Sequence, residues 1–174
     1  MKIYTKRGDL GETDLIGKRT LKSDVIIELV GQIDEACVRI AYCKHEINHQ
    51  EVLDELSSIN NHLFTISSAL VDVNHRLNLS ISDQSVASLE MKIDQIEASL
   101  VPLKNFITYD GTLAAIHISS LRSQIRSIER LLVKVEANKE MIQYVNRLSD
   151  YLFVLMRQIN KEAGNKEKKL ETIK

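Results

Sequence analysis

The chain has 174 residues and a formal net charge of −1. That length suits a single domain, residues 1–174, able to bury roughly two thirds of its unfolded surface. The near-neutral charge gives no electrostatic footprint for a nucleic acid or an anionic membrane, so neither is expected as a partner. No stretch approaches the roughly 20 apolar residues of a membrane span, and the start MKIYTKRGDLGE has no signal-peptide core. Cys37 and Cys43 are too few and too close for a disulfide framework. They read as free thiols of a reducing compartment, and the expected location is the cytoplasm.

The head, residues 1–22, concentrates glycine: Gly8, Gly11 and Gly17 lie in it, among Thr5, Lys6, Arg7, Asp9, Glu12 and Thr13. Glycines let backbone amides approach an anion closely, and lysine and threonine add charge and hydroxyl donors. This is the composition of a phosphate cradle, although the spacings of a Walker loop or a dinucleotide fingerprint are absent. A flexible polar terminus has the same composition.

Past the head, apolar residues recur at alternating steps of three and four, the signature of helices packed at shallow angles. The first such segment is Ile26, Leu29, Ile33, Ala36 and Ile40, with Ser23 as N-cap. It has a second apolar stripe, Val30, Cys37 and Ala41, interrupted by Asp34. Two apolar faces need two partners, met either by a central place in the bundle or by another subunit. The second segment is Leu56, Ile59, Leu63, Ile66 and Leu70. Glu46-x-x-His49 and Asp72-x-x-His75 flank it and raise a di-iron bundle as an alternative, although such sites lie mid-helix and face inward. The third segment, Val86 to Leu100, follows a Ser82 cap.

The fourth segment, Ala114 to Val135 behind a Thr112 cap, carries Arg122, Arg126 and Glu129 on one stripe, with Arg130 beside them. Arginines so placed suit bidentate contacts to phosphate oxygens; a solvated face with internal ion pairs is the plainer reading. The fifth segment, Met141 to Ile159 behind Asn138, holds a polar stripe of Asn146, Ser149 and Asp150 with Phe153. An amide there can read a base or ribose, or hold a neighbouring helix. The tail, 161–174, is dominated by Lys and Glu and reads as a fraying helix end followed by disorder. The fold class is all-α: a five-helix bundle, up-down antiparallel, headed by a glycine-containing segment.

In this order the pieces resemble the PduO-type ATP:cob(I)alamin adenosyltransferases. Thr5 to Leu15 is similar to T-K-x-G-D-x-G-x-T-x-L throughout. Lys22, Gly31-Gln32-Ile33-Asp34-Glu35, Phe106 before Gly111, and Arg122 to Arg130 follow in the family's order. Asn146 to Phe153 matches N-R-L-S-D-x-L-F in full, with Arg157 and Asn160 behind it. Departures are Ser127 at the second arginine of the family's pair, Tyr109-Asp110-Gly111-Thr112 at its Pro-Gly turn, Cys37 for an Asn, and Ser119 for a His.

The resemblance implies adenosyl transfer. The cobalt of cob(I)alamin attacks the 5′-carbon of ATP, triphosphate leaves, and adenosylcobalamin forms, without a catalytic triad. It implies homotrimers with active sites between subunits, Mg²⁺ accompanying ATP, and a corrinoid reductase as a further partner. ATP would be bound by Thr5, Lys6, Arg7, Gly8, Asp9, Gly11, Glu12, Thr13 and Lys22, with Arg126, Glu129, Arg130 and Asn146. Arg126 would stabilise the leaving group, Asp34 would bridge to Arg122 of a neighbouring subunit, and Phe106 would exclude the lower axial ligand of cobalamin. The departures raise an alternative: a weakened homologue that binds ATP or corrinoid as a sensor or chaperone. A ligand-free structural bundle is opposed by the intact head.

Overall fold

The computed structural model describes residues 2–171. Two short strands, β1 (Glu12–Leu15) and β2 (Lys18–Leu21), precede five helices: α1 (Val25–Glu46), α2 (Gln50–Val71), α3 (Asp83–Glu97), α4 (Leu113–Lys134) and α5 (Lys139–Glu162). The apolar periodicity therefore reports the five helices, although α3 stops at Glu97, short of the expected Leu100, and α4 at Lys134, short of Val135. Leu29, Ile33, Ile40, Leu56, Leu63, Leu121 and Ile125 are all buried in one core. Truncating such a residue to Ala costs about 2–5 kcal/mol through lost burial and the cavity left behind.

Ser82, Thr112 and Asn138 cap their helices as the sequence predicts, each accepting from a backbone N–H of the first turn. α1 differs. Its cap is Asp24, not Ser23, and the Asp24 carboxylate accepts from the Ile26 amide at 2.9 Å. Thr20 donates to the same carboxylate at 2.8 Å. These two donors hold Asp24 below the ordinary carboxylate pKa, the backbone bond contributing most.

Cross-helix contacts give the topology. Gln124 donates to the Gln32 carbonyl, and the rings of Tyr42 and His117 stack at 5.6 Å, so α1 and α4 run antiparallel. Lys92 pairs with Glu55, and Ser85 meets His62, which sets α2 against α3. α5 runs against α4 and alongside α3. The bundle is up-down throughout. Its central helix is α5, buried through Tyr144, Val145, Leu148, Tyr151, Leu152 and Leu155, while α1 leaves Val38 and Tyr42 exposed. Of the second stripe of α1, Val30 and Cys37 are half-buried, whereas Ala41 and Asp34 face outward.

The head folds as a β-hairpin, an element the sequence reading did not assign. Thr13 faces Thr20, and Arg19 ties the structure together with bonds to Glu12 (2.8 Å), Asp14 (2.9 Å) and the Arg7 carbonyl (2.5 Å). The Ile16 amide donates to the Val71 carbonyl at 2.9 Å, fastening the hairpin to the end of α2.

The tail corrects the expectation of disorder as far as Glu171; residues 172–174 lie outside the described residues. Arg157, with a side chain 5% exposed, bonds Glu167 at 2.6 Å and the Val101 carbonyl at 2.6 Å. The Leu170 amide donates to the Phe106 carbonyl at 2.8 Å, and the Thr108 amide to the Lys168 carbonyl at 2.9 Å. The physical reason is a buried cation: Arg157 needs a carboxylate, and Glu167 supplies it by folding the tail back.

Candidate functional site: an aromatic-lined cleft and a polar chain

Three groups of candidate residues stand out: a cleft at mid-bundle, a polar chain across α3, α4 and α5, and the head. The first is a cleft of about 800 Å³ lined by Phe106, Tyr109, Arg122, Phe153, Lys169 and Leu170, among others. Its wall is the turn before α4. Gly111 has φ +118°, and a Cβ there would run into the Asn160 amide, so only glycine fits. Asn160 grips the turn from both sides: its Nδ2 donates to the Asp110 carbonyl at 2.8 Å, and its Oδ1 accepts from the Thr112 amide at 3.0 Å. Fixed in this way, the segment presents Phe106 with 86% of its surface exposed. Opposite, the Arg122 guanidinium lies 5.1 Å from the Phe153 ring centroid. The buried Nε of Arg122 has no partner among the described residues.

The second region is a polar chain across three helices. Glu90 on α3 accepts from Arg147 at 2.7 Å, Arg147 donates to Asn146 at 2.9 Å, and Asn146 donates to Glu129 on α4 at 2.8 Å. The Glu90 carboxylate holds the Arg147 guanidinium above its ordinary pKa, mainly through this hydrogen bond. One turn from Glu129, Arg126 is exposed and makes no ion pair among the described residues. Arg130 donates to the Ser127 hydroxyl at 2.9 Å, so the residue that departs from the arginine pair now anchors its neighbour.

In the head, Gly8 and Lys22 come together. The Lys22 ammonium stands 3.0 Å from the place a Cβ on Gly8 would take, and the Lys22 amide donates to the Gly11 carbonyl at 2.8 Å. Thr5 accepts from the Arg7 amide, Arg7 pairs with Asp14 at 3.1 Å, and Glu12 is engaged by Arg19. Lys6 and Asp9 are exposed, and Thr13 is half-buried in β1. Among the described residues, no hydrogen bond or ion pair joins the head to α4 or α5. Within one chain, then, Thr5–Lys22 and Arg126, Glu129, Arg130 and Asn146 form two groups rather than one. Asp34 likewise makes no ion pair among the described residues.

Arg19 escaped the sequence reading. Arg147, Arg157 and Asn160 enter it only as letters of the fifth-helix motif, with no role attached; in the structure all four position the groups above. The Glu46/His49 and Asp72/His75 pairs do not meet: they lie at opposite ends of α2. Asp72 has a structural task, accepting from the Leu77 amide, and that bond keeps its carboxyl low.

A bundle with an aromatic-lined cleft, an arginine stripe and a hairpin rich in phosphate-type donors defines a nucleotide-handling helical protein. The chain belongs to the cobalamin adenosyltransferase family, whose model matches residues 3–159. It is 35% identical over 172 residues to the corrinoid adenosyltransferase of Bacillus subtilis, covering 94% of this chain and 89% of that protein. It is 31% identical over 180 residues to the Homo sapiens corrinoid adenosyltransferase MMAB, covering 96% and 72% of the two chains. The fold is similar to that of a variant PduO-type ATP:corrinoid adenosyltransferase from Lactobacillus reuteri complexed with cobalamin and ATP. There the TM-score is 0.90 at 30% identity, over 98% of this chain and 100% of that one.

Proposed function

We propose that this chain transfers the 5′-deoxyadenosyl group of ATP to the cobalt of cob(I)alamin. The Co–C bond forms as the C–O bond breaks, and triphosphate departs with the electron pair. The observation that carries this reading is the cleft that joins Phe106, Arg122 and Phe153, in a chain of this family. Reduced cobalt is itself the nucleophile, so the protein's contribution is positioning and electrostatics.

Each group then has a task. Thr5 to Thr13 and Lys22 hold the triphosphate, with Gly8 leaving room for the Lys22 ammonium. Glu129 and Asn146 orient the nucleotide, with Arg130 beside them, and the exposed Arg126 meets charge on the leaving group. Phe106 takes the place of the lower axial ligand, which makes cobalt easier to reduce. Because the head and the arginine stripe are separate within one chain, a complete site needs a second copy. A homotrimer, with Asp34 of one chain paired to Arg122 of the next, supplies it. The exposed Val38 and Tyr42, on the α1 face that carries Asp34, support that assembly.

Mg²⁺ fits as an ion held chiefly by phosphate oxygens. Arg19 engages Glu12 and Asp14, leaving Asp9 as the head carboxylate without an ion pair among the described residues. The ion would neutralise phosphate charge. The free thiols Cys37 and Cys43 suit the reducing cytoplasm, where a corrinoid reductase would supply cob(I)alamin. No helix of the described residues is long and apolar enough to cross a membrane.

The test is anaerobic mixing of protein, ATP and cob(I)alamin. The adenosylcobalamin spectrum should appear with release of triphosphate. Binding of both ligands without that product would favour the sensor or chaperone reading, which Ser127 motivates.

A further inference from the structure

The cleft at Phe106 has an unusual charge. Three cations line it, Lys104, Arg122 and Lys169, and among the described residues no carboxylate does. The neighbouring groove between α3 and α5 carries Glu90, Asp94, Glu97 and Asp150 against Arg147 alone. A chain of net charge −1 has therefore gathered unopposed positive charge at one opening. Like charges clustered at a cleft repel one another and focus the field on an anionic ligand.

The tail is what completes the set. Ile107 and Lys169 form an antiparallel bridge, flanked by the Leu170–Phe106 and Thr108–Lys168 hydrogen bonds. Alternation along that extended segment sends Lys168 to Asp110, at 2.9 Å, and Lys169 to the cleft. Lys104 and Lys169 are exposed, and neither makes an ion pair among the described residues.

We propose that Lys104 and Lys169 form a subsite for the phosphodiester of the corrinoid's nucleotide loop. The inference rests on the corrinoid-binding reading of this cleft. The peripheral amides of a cobalamin are neutral, and the phosphodiester is the fixed negative charge of its lower tail. Once Phe106 stands where the base was, that tail has to leave past the residues around Phe106. The Arg122 guanidinium lies on the Phe153 ring, so the two exposed lysines remain to receive the phosphate. The subsite makes the enzyme select corrinoids that carry a complete nucleotide loop over those cut back to the ring.

The test compares cobalamin with cobinamide, which lacks the phosphate and base. Equilibrium dialysis of cob(II)alamin and cob(II)inamide against the intact protein gives affinities; adenosylation gives KM and kcat. Cobalamin should bind about tenfold more tightly, as expected for charge-assisted contacts. The gap should narrow with added salt. It should collapse in Lys104→Gln/Lys169→Gln and largely return in Lys104→Arg/Lys169→Arg. Equal affinities in the parent protein, or a gap that survives the double glutamine change, overturns the proposal. Adenosylation of both corrinoids alongside equal affinities would leave the proposed function standing while this subsite falls. Failure to adenosylate either corrinoid would sink the function, and the binding ratio would still decide the subsite.

Discussion

Asn146 on α5 donates its amide to Glu129 on α4 at 2.8 Å, and the same Asn146 receives Arg147, which reaches Glu90 on α3. One side-chain amide thus locks three helices in register beside the arginine stripe. Asn146→Ala should leave the half-buried Glu129 without its donor, which costs about 1–3 kcal/mol. Thermal denaturation should fall accordingly, and KM for ATP should rise about tenfold if the pair orients the nucleotide. An unchanged KM with lowered stability would confine the pair to helix packing.

Arg126 carries the main electrostatic prediction. It is exposed and free of ion pairs among the described residues, and the residue beside it is Ser127, where the resemblance implies a second arginine. Losing a charge-assisted contact in a site closed from water costs a few kcal/mol, on the order of a hundredfold in rate. Arg126→Ala should slow adenosylation by about that factor with unchanged helix content. Arg126→Lys should recover part, since an ammonium lacks the planar fork. Ser127→Arg should also release Arg130, whose hydrogen-bond partner is the Ser127 hydroxyl. Rates at saturating ATP decide among these outcomes.

Phe106 is 86% exposed, so its removal takes little from the core. Phe106→Ala should keep the melting temperature and ATP affinity nearly constant. It should impair conversion of cob(II)alamin under mild reduction. Spectroscopy of bound cob(II)alamin should show a four-coordinate species in the parent protein and less of it in the variant; its absence from both would end this assignment.

Asp34 projects from α1 and makes no ion pair among the described residues. If Arg122 of another copy meets it, Asp34→Ala should shift sedimentation toward smaller species at micromolar protein. Corrinoid turnover should drop more than ATP binding does. A fully active monomer would exclude the shared site.

The docked tail has a pH dependence of known sign. The Asp110 carboxyl lies below its ordinary pKa, chiefly through Lys168 and then Thr108. A carboxylate depressed in the folded state contributes stability above the unfolded pKa, about 4, and loses it as pH falls through the lower folded value. The tail should therefore stay docked at neutral pH and release only in acid below about pH 4. Hydrogen exchange at the Thr108 and Leu170 amides reports it directly. Glu167→Ala should speed exchange at both amides even at neutral pH, because Arg157 then loses its carboxylate.

The helices were legible in sequence because burial imposes a periodicity that any reader can count. Leu121 and Ile125 announce the core face of α4 by spacing alone, and Thr112 and Asn138 announce the starts of α4 and α5 by side-chain chemistry. The Thr5–Leu15 and Asn146–Phe153 segments were legible for a different reason: contiguous residues keep their order whatever the fold does. What spacing cannot encode is contact between distant segments. That Asn160 would grip Gly111, that Arg157 would call back Glu167, and that Lys169 would thereby face Phe106 depends on which end of the bundle each helix reaches. A lysine-rich tail looks soluble and loose until a buried guanidinium gives it somewhere to bind. The sequence by itself determined the five helices and their inward faces, because hydrophobic burial acts locally through the 3.6-residue turn. Only the tertiary structure decided the hairpin's partners, the docked tail and the charge of the cleft, because ion pairs and hydrogen bonds form between whichever groups the packing brings within about 3 Å.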